Sequence, residues 1–187
     1  MTVEEEVLGR ITGALDELSI PYMVTGSIAA SYYGRPRATH EADIVIDPSA
    51  EQTERLMAWL EAGDFFVNVD AALEAVRHRR QFNVIEKARA VKIDLIVRKA
   101  RPFSVEELAR RTRLDLPFGR GIAMVTAEDA VLSKLEWAQR SGDSDRQIRD
   151  AAGIVELTPT IDRVYIRKWA GALGIADLWD RVAGGAG

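Results

Sequence analysis

The feature that most constrains the fold is a change of hydrophobic pattern near Val125. Before it, short apolar runs rich in β-branched residues alternate with helical repeats. After it, every apolar repeat has helical spacing. Val3, Val7, Leu8, Ile11, Leu15 and Leu18 recur at helical intervals, so residues 3–18 are expected as an amphipathic helix that Ile20-Pro21 breaks. Tyr22–Thr25 reads as a short buried strand. Gly26-Ser27 is a turn, and Ile28–Tyr33 a helix ended by Gly34. Ala42–Ile46 is a β-rich run closed by Asp47-Pro48, and a helix over residues 50–62 follows, capped by Ser49 or Asp47. Phe65–Val69 is a strand candidate and Ala71–Arg77 a short helix. Phe82–Ile85 and Val91–Val97 pair as a hairpin. Ser104 opens a helix to Arg111, and Leu114–Leu116 and Ile122–Val125 flank Gly119 and Gly121 as short strands.

The last third is expected to be all helix. Thr126 with Asp129 caps a helix running to Arg140, and Ser144 with Gln147 forms an S-x-x-Q box for one ending near Leu157. Asp162–Leu173 and Ala176–Val182 complete the set. The pattern predicts an α+β protein: a mixed β-sheet flanked by helices over residues 1–125, then a helical region over 126–187.

Composition excludes several chemistries. With no cysteine, the 187 residues offer no disulfide scaffold, thiolate zinc site or cysteine nucleophile. His40 and His78 are the only histidines, so a multi-histidine metal site is excluded. A bound metal would be held by oxygen, which points to magnesium, manganese or calcium. No apolar run approaches membrane-spanning length, and the acidic Met1–Glu6 segment lacks the signature of a signal peptide, so a cytoplasmic protein with no membrane partner is expected. The net charge of −4 hides an asymmetry: residues 77–120 carry 13 basic and 5 acidic side chains, a local +8 against −12 elsewhere. Such a block is either a phosphate footprint or an ordinary solvated surface laced with ion pairs.

Three features carry chemistry. Val24-Thr25-Gly26-Ser27 runs from an apolar strand through a Gly-Ser turn into a helix, an arrangement that presents backbone N–H groups to an anion. Glu41 and Asp43 alternate across Ala42 on a strand and so share one side of it. Like charges at close range call for a cation. Asp94 sits inside the apolar run Val91–Val97, where a carboxylate is expensive unless it is paired or bound to metal. For each feature alone, a helix cap, an acidic solvent face or a buried ion pair is an equally simple reading.

Taken together, the Gly-Ser turn, the Glu-x-Asp strand and the later Asp resemble the nucleotidyltransferase superfamily related to DNA polymerase β. They resemble most its small prokaryotic members, the minimal and AbiEii-like (abortive-infection toxin) nucleotidyltransferases. The supporting words are Thr25–Gly34, Arg37–Asp43, Thr126–Asp129, Lys134-Leu135 and Asp145–Asp150, with the terminal helices over Asp162–Trp179. The resemblance implies the nucleotidyltransferase fold and magnesium- or manganese-dependent transfer of a nucleoside monophosphate from a nucleoside triphosphate to a hydroxyl. It implies that Gly26 and Ser27 grip the triphosphate. Glu41, Asp43 and Asp94 would hold the metal, and Asp94 would also help to activate the hydroxyl. Lys134 would contact the phosphates, Arg37 would reach phosphate, and Arg146 and Asp150, four apart on one helix, would form a charged pair at the nucleotide. The basic block would suit RNA as the acceptor, such as a tRNA 3′ end, and equally an acidic protein, while the setting the resemblance implies is a toxin with a cognate antitoxin or a phage-defence system. A cationic small molecule fits the basic block less well.

One position departs from the pattern. These enzymes place aspartate where this chain has Glu41. The added methylene moves the carboxylate by roughly one C–C bond, about 1.5 Å, and catalysis responds to misplacement on that scale. Glu41 therefore marks either an accepted variant or a weakened or inactive enzyme that still binds nucleotide and acts as an interaction protein.

Overall fold

A computed structural model describes residues 2–36, 42–142 and 144–184. Two compact units are present, Met1–Thr25 with Thr39–Met124, and Gly26–Ala38 with Val125–Gly187. Helix α2 thus groups with the C-terminal helices, although it lies early in the chain.

The first unit is built on a mixed sheet of seven strands among the described residues, in the order β3-β4-β5-β2-β1-β7-β6. Strands β1 (Tyr22–Thr25), β2 (Ala42–Ile46) and β5 (Val91–Val97) lie at its centre. β2 runs antiparallel to β1 and parallel to β5, and β1 runs parallel to β7 (Gly119–Met124). The hairpins β4–β5 (β4, Gln81–Glu86) and β6–β7 (β6, Thr112–Leu116) extend it on either side, with the two-residue β3 (Phe65–Phe66) at one edge.

Strand parity sorts the side chains. Ala42, Ile44 and Ile46 share a face with their register partners Ile93, Leu95 and Val97, and all six are buried. Helix α1 (Val3–Glu17) brings Val7, Leu8, Ile11 and Leu15 to the core, each fully buried, and α3 (Ala50–Ala62) brings Leu56, Met57 and Leu60. Burying one such aliphatic side chain stabilises the fold by about 1.5–3 kcal/mol. Both helices start on a reciprocal capping box. Thr2 Oγ1 accepts from Glu5 N–H while Glu5 Oε2 accepts from Thr2 N–H, and Ser49 with Gln52 repeats the arrangement.

The second unit is helical: α2 (Gly26–Tyr33), α6 (Ala127–Arg140), α7 (Asp145–Leu157), α8 (Arg163–Leu173) and α9 (Ala176–Gly184). Thr126 caps α6 as its spacing predicts, and the fully buried Asp129 is fixed from two sides, by Thr126 Oγ1 at 2.8 Å and by Tyr165 Oη at 2.7 Å. No helix among the described residues is long and apolar enough to cross a membrane.

Local details differ from the sequence expectation where side-chain chemistry competes. Helix α5 runs Pro102–Arg110, not from Ser104, because proline suits the first helical position; Ser104 Oγ instead accepts from Arg101 Nε. Ser144 stands at the start of α7 but makes no capping hydrogen bond, so the expected S-x-x-Q box does not form. Helix α4 (Val69–Arg77) starts two residues early because Asn68 Oδ1 accepts from Ala71 N–H and caps it. β7 extends back through the glycines, with an irregular register between Leu114 and Leu116.

Candidate active site

The β1, β2, β4 and β5 registers align four polar residues in one row. Asn83 pairs with Asp94, Asp94 with Asp43, and Asp43 with Thr25. Residues paired in register point to the same side of a sheet. The row therefore sits on the face opposite the Ile44–Leu95 core. Two carboxylates from strands distant in sequence are neighbours across the central β2–β5 ladder. Neighbouring strands lie about 4.8 Å apart, so the two acids are close enough to share one cation.

Asp94 is buried, with 8% of its surface exposed, and Asp43 is half-buried. Lys92, two residues before Asp94 on the same strand face, places Nζ 3.0 Å from both carboxylate oxygens. It donates a hydrogen bond to Oδ2 only, and the buried Oδ1 accepts none. Its compensation among the described residues is the ion pair with the Lys92 ammonium alone. The donor set of hard carboxylate oxygens, one of them accepting no hydrogen bond, fits magnesium or manganese. Among the described residues, no group of three or more metal-ligating side chains is present. Glu41 and Arg37 lie outside the described residues, as does His40.

The loop predicted to hold phosphate starts the second unit. Gly26 follows the last residue of β1 directly and adopts φ +65°, a backbone conformation that a side chain at this position would strain. It lets the chain turn into α2 with no residue between strand and helix. Ser27, in the first turn of α2, is buried at 3% exposure. The first-turn N–H groups of a helix and its dipole favour an anion.

Helices α6 and α7 contribute a second polar group. Lys134 is buried at 5% exposure and its Nζ lies 2.8 Å from Asp150 Oδ2. Helical spacing suggested an Arg146–Asp150 pair. In the structure the buried partner of Asp150 is Lys134 on the neighbouring helix, and Arg146 is exposed near the start of α7.

Sequence reasoning did not single out Lys92 or Asn83. A signal for Lys92 was present, since residues two apart on a strand share a face. Asn83 depends on register between strands and leaves no local trace.

The basic block is less free than its charge suggests. Arg98 and Arg79 both bind Asp47, Arg89 binds Glu6, and Arg113 binds Asp16, all acids outside the block. The Arg89 guanidinium holds the Glu6 carboxyl below its usual range.

No family model matches the sequence, and no curated protein matches it. Solved structures match the fold. ANT(2″)-Ia, in complex with adenylyl-2″-tobramycin, superposes with a TM-score of 0.61 at 15% identity over 92% of this chain and 98% of its own. An antigenic nucleotidyltransferase-like protein from Paracoccidioides brasiliensis gives 0.58 at 20% identity, covering 82% of this chain and 76% of its own. The solution structure of the antibiotic-resistance factor ANT(2″)-Ia gives 0.53 at 16% identity, covering 91% and 94%. The mixed sheet and helices of this chain thus have the nucleotidyltransferase fold.

Proposed function

We propose that the protein transfers a nucleoside monophosphate from a nucleoside triphosphate to an acceptor hydroxyl, with Asp43 and Asp94 as its central carboxylates. The observation that carries this reading is the register pairing of Asp43 with Asp94, with Asp94 Oδ1 buried and accepting no hydrogen bond. Asp43, Asp94 and Glu41 would hold magnesium or manganese, which when bound neutralises charge on the attacking and leaving oxygens. Gly26 and the first-turn N–H groups of α2, with Ser27, would hold the triphosphate. Arg37, Lys134 and Arg146 would add positive charge toward the phosphates, and Asp150 would fix the Lys134 ammonium.

The acceptor oxygen would attack the α-phosphorus in line. The bond from that phosphorus to the α,β-bridging oxygen breaks, and pyrophosphate leaves with the electron pair. Asp94 would take the hydroxyl proton. The protein otherwise positions groups and neutralises charge, as phosphoryl transfer requires. Glu41, longer by one methylene than the usual aspartate, would slow the reaction without removing a ligand.

The acceptor follows less directly. The basic block supports RNA or an acidic protein surface through backbone or side-chain charge. Two observations favour a second reading, a small-molecule hydroxyl. Four of the block's arginines are engaged by Asp16, Asp47 and Glu6, which lowers the repulsion that a cationic acceptor would meet. The superposed ANT(2″)-Ia was solved with an adenylylated tobramycin. The words Thr25–Gly34 and Asp145–Asp150 support a place near the AbiEii-like members, and with it a toxin restrained by an antitoxin.

The test incubates the protein with each α-labelled nucleoside triphosphate and magnesium, offered total RNA, cell protein or tobramycin in turn. Label is expected in one acceptor class, falling at least about 10²-fold in Asp43→Ala and Asp94→Ala. Equal labelling by both variants would falsify the assignment. Growth arrest on expression, relieved by Asp43→Ala, would support the toxin role; arrest that persists in that variant would oppose it.

A further inference from the structure

Metal-free, the buried carboxylate of Asp94 takes its counter-charge from its own strand, from Lys92. Lys92 Nζ lies 3.0 Å from both oxygens of Asp94, with its hydrogen bond to Oδ2 and an ion-pair contact to the buried Oδ1. Lys92 is also the more exposed partner, with 42% of its side chain accessible against 10% for Asp94. A long, partly solvated lysine on a flexible stem can leave a buried carboxylate at little cost, because water receives its ammonium.

We propose that Lys92 is a built-in counter-cation that ion-pairs Asp94 in the metal-free protein and competes with the divalent ion for that carboxylate. This inference rests on the metal site proposed above and deepens it. Lys92 acts through Asp94 and is a positioning residue. One consequence follows from charge alone. Removing the ammonium takes away a positive charge within a few ångströms of the incoming metal, which tightens divalent binding. The metal-free protein is less stable without Lys92, and metal restores more of its stability than in the wild type, since a ligand that binds only the native state stabilises it in proportion to its affinity.

The experiment measures Mn²⁺ affinity by electron paramagnetic resonance of free manganese, with no nucleotide present, on the full chain. Lys92→Met keeps the length and volume of the side chain and removes the charge. Lys92→Arg keeps the charge. Lys92→Met is expected to bind Mn²⁺ about threefold to tenfold more tightly than wild type. Its melting temperature is expected to fall without metal and to rise more on adding Mn²⁺. Lys92→Arg is expected to stay within about twofold of wild type. Unchanged or weaker Mn²⁺ binding by Lys92→Met overturns the inference. Asp94→Asn separates this failure from a failure of the site itself. If wild type binds Mn²⁺ and Asp94→Asn does not, the metal site stands and only the role of Lys92 falls. If wild type binds none, or Asp94→Asn binds as well as wild type, both proposals fall together.

Discussion

At the scale of single residues, position within an element decides what a polar group can do. Tyr22 is 1% exposed, with its hydroxyl donating to Asp16 Oδ2 at 3.0 Å. Burial pushes its phenol up to about 12, the Ala123 N–H opposes that, and the Asp16 carboxylate adds to it. The folded state therefore binds the Tyr22 proton more tightly than the unfolded chain does. The associated stability is fully present below pH 10 and is lost as pH rises from about 10 to about 12. In a spectroscopic titration of the phenols, Tyr22→Phe is expected to remove a late-titrating component and to flatten the loss of stability over that interval. A late component that survives the substitution would show that another tyrosine is responsible. Asp94 shows the same dependence on place. The run Val91–Val97 marked it as a carboxylate needing a partner, and that much was legible from hydrophobicity alone. That its partner is Lys92 and its neighbour Asp43 depends on strand parity and on register, of which only the first can be read along a sequence.

At the scale of elements, local chemistry predicts existence better than partnership. The strands Tyr22–Thr25, Ala42–Ile46 and Val91–Val97 fall where β-rich apolar runs placed them, and Thr126 caps α6 as its spacing indicated. The misplaced starts have local causes, Pro102 at the head of α5 and Asn68 capping α4. Pairing between elements was less accessible. Helical spacing pairs Asp150 with Arg146 along α7, whereas its ion pair with Lys134, whose side chain is 6% exposed against 12% for Asp150, depends on the α6–α7 packing. This distinction has an energetic consequence. Removing one member of a buried charged pair costs up to about 3–5 kcal/mol, whereas replacing both with apolar residues is far milder. Lys134→Met is expected to lower unfolding free energy by about 3 kcal/mol in a denaturant titration. The double variant Lys134→Met, Asp150→Leu should recover much of that loss. A loss below about 1 kcal/mol in the single variant would mean the pair contributes little, as an exposed one would.

At the scale of the whole molecule, the chain divides its candidate site residues between two units. The mixed sheet carries Asp43 and Asp94, while the helical unit carries Gly26, Ser27, Lys134, Arg146 and Asp150. Helix α2 joins the later helices because its residues Gly26–Tyr33 offer buried small side chains, Ala29 and Ala30, to helix packing. Nothing in the local pattern of residues 26–33 announces that grouping, since it depends on contacts with residues a hundred positions away. The charge asymmetry is also resolved at this scale. Several arginines of residues 77–120 are matched by Glu6, Asp16 and Asp47, so formal charge along the chain overstated the free positive surface.

The most direct measurement for the account is calorimetric titration of a non-hydrolysable nucleoside triphosphate analogue into the protein with and without magnesium. It is repeated on Asp43→Asn with Asp94→Asn, with circular dichroism to verify the fold. Binding that requires magnesium in the wild type and disappears in the folded double variant is the expected result. Binding that needs no divalent ion, or that persists undiminished after both carboxylates are neutralised, would contradict it.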